Sequence, residues 1–459
     1  MSPLADCFAI SAWISLRRSS SSLRVRRLSG ARPLPPWAVR TIFDPTGAYR
    51  LQPFLRIVLL VAALLAALGA ATAPAPAATD ADRTLPSRLA RALAVPHVEP
   101  SRSAAIAVDL ATGEVVYARN AGLSLAPAST EKLAISLALL ARLGPTYRLE
   151  TRVVGSGVLE GGTWRGDVVL QGAGDPALGS VGLRALAARV RAQGIRRIAG
   201  RVLGDESFYD ARRTAPGWKA RYFIGESPPL SALVVDRARL RGRTTTRPAL
   251  AAAILFRDAL RRAGVAVAGA AVAAPAPSED VLLARHLSPP LQTLLRAVNR
   301  ESDNFTAEML LKHLGAVERG KGTTGAGASV VHEVLHDAGI PLAGVRVVDA
   351  SGLSLLDRQT ADALVGILVL AWGDPLLRGS FLSTLAVAGR SGTLEDRLRS
   401  APAAGAVFAK TGTTRVASAL AGYVAGRYAF AVVQNGSPVS SWWARRAQDR
   451  FVTVLASSP

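Results

Sequence analysis

Apolar residues recur along the chain with two spacings, which predict helices in some segments and strands in others. Leu85, Leu89 and Leu93 lie four residues apart and predict an amphipathic helix over 83–95. Further helices are predicted over 133–143, 181–193, 288–315 and 326–338, and from residue 439 onward. Runs rich in β-branched and small apolar residues predict strands over 103–110, 114–118, 151–154, 167–171, 197–203, 232–235, 406–409, 417–424 and 428–434.

The order of these elements predicts one domain inserted into another. The hairpin at 103–118 and the three C-terminal strands are able to complete a single sheet, although they lie at opposite ends of the chain. Residues 150–285 differ from the rest in having mostly short predicted strands, and they contain the Ala- and Pro-rich tract 273–278 near their end. We therefore expect a two-domain α/β protein. Residues 79–149 and 286–459 would form an antiparallel sheet with helices on both faces, and residues 150–285 a strand-rich insertion.

The N-terminal segment is typical of a leader rather than of a folded domain. Residues 57–71 are fifteen residues without a charge, follow Arg56 and precede a tract of small residues. This is the layout of a secretory signal peptide. A membrane span needs about 20 apolar residues, so an uncleaved anchor is the alternative. We assign 1–78 to a basic leader and signal peptide and expect an exported protein, periplasmic or in the cell wall.

Composition excludes several classes of protein and draws attention to the lysines. The chain has 459 residues, 49% of them hydrophobic, which excludes bulk disorder, and its single cysteine, Cys7, excludes an intramolecular disulfide or a cysteine-rich zinc site. The net charge is +22, yet only five of the 55 basic residues are lysines. Because a guanidinium group cannot act as a base, each lysine that is retained is a candidate for amine chemistry.

Two of the five lysines fall within short motifs that occur in a meaningful order. The motifs are Ser129-Thr130-Glu131-Lys132, Ser302-Asp303-Asn304 and Lys410-Thr411-Gly412. A serine in the first turn of a helix has the lysine one turn later on the same face, and a desolvated lysine is able to take the hydroxyl proton. Taken alone, Ser129 is equally consistent with a helix cap and Lys410 with an edge-strand charge. The ordered set has a chance probability of roughly 1 in 1000.

The three motifs resemble those of penicillin-binding proteins and serine β-lactamases. Their neighbourhoods, including Asp349-Ala350-Ser351-Gly352-Leu353-Ser354, resemble the D-alanyl-D-alanine carboxypeptidase/endopeptidase branch, the low-molecular-mass class C penicillin-binding proteins with an insertion between the first two motifs. The resemblance implies a β-lactamase/transpeptidase-like fold and a serine D,D-peptidase. Such an enzyme acts on peptidoglycan stem peptides through an acyl-serine intermediate, is acylated by penicillin and needs no metal or cofactor.

The resemblance also implies catalytic roles for three side chains. Ser129 would be the acylated nucleophile, Lys132 its general base, and Ser302 the relay that passes a proton to the leaving amine. The backbone N–H groups of Ser129 and Thr413 would form the oxyanion hole.

Substrate-binding roles follow from the same resemblance. Asn304 would bind the substrate amide, Lys410 would supply positive potential, and Thr411 and Thr413 would hold the terminal carboxylate. Gly412 would leave room for the substrate beside the strand. A serine β-lactamase-like hydrolase is the nearest alternative, but the E-x-x-L-N segment of class A β-lactamases does not occur in the sequence.

Three other patterns point to different functions. His332 and His336 form an H-E-x-x-H string typical of zinc peptidases, but no histidine follows His336 to complete the ligand set. Residues 315–322 approach a phosphate-binding loop but lack its hydroxyl residue. The basic composition also fits a non-enzymatic binder of wall polymers or nucleic acid, and it is compatible with association with a membrane surface. We expect no nucleic-acid partner, because aromatic residues are only 5% of the chain and no nucleic-acid motif is present.

Overall fold

The structure is a computed structural model that describes residues 80–277 and 280–458. The predictions for the leader at 1–78, including the apolar segment 57–71, lie outside the described residues. The helices are α1 (Asp80–Leu93), α2 (Lys132–Leu143), α3 (Ser180–Ala192), α4 (Pro248–Arg262), α5 (Leu291–Arg300), α6 (Asn304–Arg319), α7 (Thr324–Asp337), α8 (Ala361–Gly373), α9 (Pro375–Leu382) and α10 (Ser441–Ala456).

The strands follow the same chain order. They are β1 (Ser103–Asp109), β2 (Val115–Arg119), β3 (Glu150–Glu160), β4 (Thr163–Gln171), β5 (Arg197–Ile198), β6 (Val202–Asp205), β7 (Arg239–Leu240), β8 (Arg243–Thr244), β9 (Ala266–Val267), β10 (Ala271–Ala273), β11 (Val281–Leu287), β12 (Ala386–Val387), β13 (Val407–Thr413), β14 (Ala417–Val424) and β15 (Tyr428–Asn435).

One sheet joins the two ends of the chain. Its six strands are ordered β12-β13-β14-β15-β1-β2, and each neighbouring pair is antiparallel. The N-terminal strand β1 pairs along its whole length with β15, with Ser103 opposite Gln434 and Asp109 opposite Tyr428. The prediction that the N-terminal hairpin and the C-terminal strands share one sheet is therefore confirmed.

Helices cover both faces of this sheet. In β14 the side chains alternate, so that Ala421 and Tyr423 pack with α2, α6 and α8 on one face. Leu420 and Val424 pack against α1 and α10 on the other face. Every residue of β14 is buried, as expected for a strand whose two faces are both covered.

A second, mixed sheet forms the inserted domain. It is ordered β10-β6-β4-β3-β11, with β5 and β9 attached to the side of β4. Helices α3 and α4 pack against it through a hydrophobic core of their own, which includes Leu186 and Phe256. The predicted fold class, an antiparallel sheet with helices on both faces plus a strand-rich insertion, is confirmed. The residue boundaries given for the domains remain a prediction.

Some predicted elements are wrong or were missed. Residues 232–235 form no strand. This segment bends between the domains. Leu233 and Val235 lie in the core of the insertion and Ala232 and Val234 lie against α6, which produces strand-like alternation without a partner strand. The sequence analysis also missed α4, α8 and α9.

The helix predicted over 288–315 is two helices. It breaks between Arg300 and Asn304, where Ser302 has a φ of +61°. The break coincides with the Ser-Asp-Asn motif. The helical spacing of apolar residues continues across this turn, which is why the sequence predicted a single helix.

No single helix within 80–277 and 280–458 is long and apolar enough to cross a bilayer. Helices α8 and α9 meet the length and composition criteria only as a pair, and the pair is bent by 114°.

Candidate active site

Ser129 lies at the entrance to a buried helix. A short 3₁₀ turn over Ala128–Glu131 leads directly into α2. Ala128, the residue before the serine, has a φ of +49°, a conformation that a non-glycine residue rarely adopts. Gly352 lies against this turn, and a Cβ atom on Gly352 would be 1.9 Å from the Ala128 carbonyl oxygen. The backbone therefore holds Ser129 in a constrained position.

Lys132 is the closest polar partner of Ser129. Its side chain is fully buried, and its Nζ atom donates to Ser129 Oγ at 2.9 Å, to Asn304 Oδ1 at 2.8 Å and to the Ser351 carbonyl oxygen at 2.6 Å. Burial lowers the pKa of Lys132 to about 8, against the opposing effect of nearby carboxyl groups. A neutral amine would keep two N–H donors for Asn304 and Ser351 and turn its lone pair to the serine hydroxyl.

The second serine and the second lysine form another buried pair. Lys410 Nζ donates to Ser302 Oγ at 2.9 Å and to the Thr411 carbonyl oxygen at 2.7 Å. Burial, together with the positive charge of Lys132, lowers the pKa of Lys410 well below its ordinary value. Each of the two lysines is thus hydrogen-bonded to a serine hydroxyl, and they lie close enough for the charge of Lys132 to affect the pKa of Lys410.

The turn that carries Ser302 is held by its neighbour Asp303. Asp303 caps α6 by accepting from the backbone N–H groups of Phe305 and Thr306. Arg237 of the inserted domain donates to both carboxylate oxygens of Asp303, at 2.6 and 2.9 Å. Burial alone would raise the pKa of Asp303, but these hydrogen bonds outweigh it and lower the pKa. Asn304 meanwhile donates to the carbonyl of Glu226 at 3.3 Å, so the inserted domain contacts the motif twice.

Strand β13 forms the remaining wall of the cleft. A Cβ atom on Gly412 would lie 2.8 Å from the Pro127 carbonyl oxygen and 3.2 Å from the Ser129 nitrogen, so β13 lies directly beside the serine turn. Thr411 Oγ1 donates to Thr393 Oγ1 at 2.8 Å. Thr413 is exposed at the end of the strand, with Arg445 Nη2 at 3.5 Å from its hydroxyl. The eight residues singled out in the three motifs and at Thr413 are therefore gathered around one cleft.

A buried acidic cluster beneath the cleft was assigned no role in the sequence analysis. It consists of Glu131, Glu308, Asp349 and Asp357, all fully buried. Burial, and secondly the nearby carboxyl group of Asp349, raises the pKa of the other three. The raised pKa values, about 8 for Glu308 and about 12 for Asp357, favour the neutral forms of these carboxyl groups beneath the cleft.

The cluster shapes the loop that supplies the Ser351 carbonyl. Glu308 Oε1 accepts from the backbone N–H groups of Ala350 and Ser351, at 3.0 and 2.9 Å. Asp349 accepts from the N–H of Gly352 at 2.7 Å and from the indole of Trp218 at 2.8 Å. The string Asp-Ala-Ser-Gly-Leu-Ser at 349–354 marked this loop in the sequence as similar to the family. The contact of Lys132 with the Ser351 carbonyl could not be predicted, because every residue has a backbone carbonyl.

The competing patterns lie away from the cleft. His332 and His336 are exposed on α7, and Glu333 between them pairs with Arg142 and Arg319. Within the described residues, no group of three histidine, cysteine or acidic side chains could hold a metal ion. The glycine-rich run 315–322 is the end of α6 and the turn after it, with Gly320 in the left-handed conformation of a helix C-cap.

Comparison with known proteins agrees with this geometry. A family model described as the D-Ala-D-Ala carboxypeptidase 3 (S13) family matches residues 85–249 and 239–458. A D-alanyl-D-alanine carboxypeptidase of Actinomadura sp. (strain R39) is 31% identical, over 89% of this chain and 90% of the relative. A carboxypeptidase of Mycobacterium tuberculosis is 32% identical, over 79% of this chain and 82% of the relative.

A solved structure shares the fold. Penicillin binding protein 4 of Haemophilus influenzae aligns with a TM-score of 0.71 and 22% identity, covering 82% of this chain and 98% of that one. The family model spans most of the described residues, and the predicted family is confirmed. The chain therefore belongs to the D-Ala-D-Ala carboxypeptidase 3 (S13) family and is a serine D,D-peptidase that acts on peptidoglycan.

Proposed function

We propose that Ser129 is the nucleophile of this D,D-peptidase and Lys132 its general base. The observation that carries the proposal is the 2.9 Å contact between Lys132 Nζ and Ser129 Oγ, made by a lysine that is fully buried and has a pKa of about 8. Neutral Lys132 takes the hydroxyl proton as Ser129 Oγ attacks the carbonyl carbon of the D-Ala-D-Ala peptide bond. The backbone N–H groups of Ser129 and Thr413 stabilise the resulting oxyanion.

The second pair completes the acylation step. Ser302, hydrogen-bonded to Lys410, relays the proton that Lys132 took from Ser129 to the leaving nitrogen as the peptide bond breaks and D-alanine departs, which returns Lys132 to its neutral form. Water then hydrolyses the acyl-serine ester and frees Ser129. We assign the Ser129–Lys132 pair to the attacking oxygen and the Ser302–Lys410 pair to the leaving nitrogen.

Substrate orientation is assigned to the polar groups along the cleft. Asn304 binds the substrate amide, Lys410 contributes positive potential, and Thr411 and Thr413 hold the terminal carboxylate. Gly412 leaves the surface of β13 open for an extended peptide, which is how sheet edges accept added strands.

We further propose that β-lactams acylate the same serine and that the protein works outside the cytoplasm. The name of the Haemophilus influenzae neighbour, a penicillin binding protein, supports the first point, and the name of the Actinomadura relative, a D-alanyl-D-alanine carboxypeptidase, supports the second. Residues 57–71 would direct export to the periplasm or cell wall, as a cleaved signal or as an anchor. The domain division at 79–149, 150–285 and 286–459, after a leader at 1–78, belongs to the same proposal.

The proposal is tested by intact mass measurement of residues 79–459 after incubation with benzylpenicillin, beside the Ser129→Ala variant. We expect one covalent adduct per chain in the parent and none in Ser129→Ala, with or without a zinc chelator. An adduct that survives in Ser129→Ala would move the nucleophile elsewhere. Rapid loss of the adduct, with turnover of penicillin, would favour the β-lactamase alternative.

A further inference from the structure

A groove rich in arginine lies behind the active site, on the other face of the six-stranded sheet. It runs between α1 and α10 and has a volume of about 1210 Å³. This exceeds the about 300–1,000 Å³ typical of small-molecule sites, so its size suits an extended ligand. Six arginines line it: Arg88, Arg91, Arg397, Arg445, Arg446 and Arg450.

The charges in the groove are mostly uncompensated. Its two carboxylates, Asp396 and Asp449, each face an arginine, and Asp449 pairs with Arg397 at 2.6 Å. Within the described part of the chain no ion pair joins the other five arginines to a carboxylate. Arginine binds carboxylates through two parallel hydrogen bonds, so the groove is complementary to a ligand that carries several acidic groups.

An aromatic side chain adds a second kind of contact. Trp442 lines the groove with 61% of its surface exposed, and the guanidinium of Arg446 lies over its ring at 5.3 Å from the centroid. An exposed indole next to cations offers a flat apolar surface for a ring of the ligand while the cations bind acidic groups. This combination matches an acidic glycan bearing peptides better than a uniformly charged phosphate chain.

The groove approaches the cleft at Arg445. This residue of α10 lines the groove, and its Nη2 atom lies 3.5 Å from the hydroxyl of Thr413, the last residue of β13. A strand held in the groove would therefore arrive at the cleft beside the position proposed for the substrate carboxylate. Peptidoglycan, the polymer on which the active site acts, fits the charge, the shape and the position of the groove.

We propose that the arginine groove between α1 and α10 binds a neighbouring stretch of the anionic peptidoglycan strand, and so selects polymeric wall over free stem peptide. The inference rests on the proposed function, since it takes the cleft to be the peptidase site. The groove makes no contribution to bond cleavage itself. Its effect is on the affinity for insoluble peptidoglycan, through charges that salt screens.

The test uses the double variant Arg91→Glu/Arg450→Glu, whose exposed side chains line the groove away from the cleft. The matched control is Arg184→Glu/Arg262→Glu, two exposed helical arginines of the inserted domain, which makes the same change in net charge. We expect D-alanine release from insoluble peptidoglycan to fall about tenfold in the groove variant only. Cleavage of a soluble D-Ala-D-Ala peptide and benzylpenicillin labelling should stay within twofold of the parent in both variants.

Binding to peptidoglycan, measured with a variant that cannot cleave it, tests the groove proposal independently of the catalytic roles proposed for Ser129 and Lys132. In a Ser129→Ala background, the groove variant should pellet with purified peptidoglycan about tenfold less than the control variant, and added salt should reduce binding of the control more steeply. Equal binding by the two variants overturns the groove proposal, whatever the activity of Ser129. Loss of binding to phosphatidylglycerol vesicles, with peptidoglycan binding unchanged, would assign the groove to a lipid surface and also overturn it.

Discussion

Lys132 is fully buried and makes three hydrogen bonds, and these two properties have opposite effects on its pKa. Three acceptors favour its charged form, whereas complete burial favours its neutral form. Burial has the larger effect, which places the pKa at about 8. The base is therefore mostly protonated at neutral pH and becomes available as the pH rises.

This balance predicts a pH profile for acylation. The second-order rate constant for benzylpenicillin should rise about tenfold per unit from pH 6 towards pH 8 and then level off, because the neutral fraction of Lys132 follows its lowered pKa. Stopped mass measurements of adduct formation would give the rate. Lys132→Arg should show no acylation across the range, while the exposed Lys321→Arg should reproduce the parent profile. A parent rate that is constant from pH 6 to 9 contradicts the assignment of Lys132.

The pair Ser129 and Lys132 could be predicted from the sequence because helix geometry alone brings residues three apart together. The scarcity of lysine strengthened that prediction. The contact between Ser302 and Lys410 depends on the sheet placing β13 beside the α5–α6 turn, and only the resemblance to a family implied it. The Ser351 carbonyl and the protonated Glu308 behind it could not be predicted, since their roles arise from burial and tertiary contact.

At the scale of elements, the turn between α5 and α6 combines a helix start with a functional surface. Asp303 supplies the cap of α6 while its neighbours on both sides point into the cleft. Arg237 closes the turn from the inserted domain. The cap of α6 and the Ser302-Asp303-Asn304 motif are thus formed by the same turn, so a substitution that weakens the cap should also displace Ser302 and Asn304.

Replacing Asp303 tests this coupling. Asp303→Ala should cost about 1 kcal/mol of stability through loss of the cap and should also slow acylation of Ser129 at least tenfold, because Ser302 and Asn304 lose their support. Asp374→Ala removes the equivalent cap of α9, and we expect a similar loss of stability with acylation unchanged. Thermal unfolding and penicillin labelling measure the two effects. If the two variants label at the same rate, Asp303 is only a cap.

Helices and strands could be predicted where the spacing of apolar residues and the residue that ends the element both lie within the same short segment. Gly144 ends α2 as predicted, and the alternation in β14 was sufficient to place that strand. The segment at 232–235 shows the limit of this approach. Its alternation arises because it lies between two hydrophobic cores, and this environment gives the same pattern as a strand.

At the scale of the whole molecule, a third lysine joins the two domains. Lys312 of α6 is fully buried, and its Nζ atom donates to Asp210 at 2.5 Å and to the Arg212 carbonyl oxygen at 2.9 Å, both in the inserted domain. Tyr209 adds a hydrogen bond from its hydroxyl to the Met309 carbonyl oxygen at 2.8 Å. Helix α6 therefore supports the cleft at its first turn and the insertion along its length.

Removing the amine should weaken the whole fold. Lys312→Ala leaves the partly buried carboxylate of Asp210 without its partner, and we expect a loss of about 3 kcal/mol in the free energy of unfolding. Lys321→Ala replaces an exposed lysine just beyond the end of α6, and it should leave stability within about 0.5 kcal/mol of the parent. Urea unfolding of the two variants makes the comparison. Equal midpoints would contradict a structural role for the Lys312 contact.

The pairing of β1 with β15 also has a consequence for how the protein is made. Strand β1 pairs early with β2, but its second neighbour, β15, is made about 330 residues later, where Gln434 lies opposite Ser103. The inserted domain has no such constraint, because all of its strands lie between Glu150 and Leu287. While the ribosome is still adding residues, the first hairpin has an open edge and the large core cannot close. If the chain is exported unfolded, as the proposed signal peptide implies, the order of its own strands would keep it from folding early.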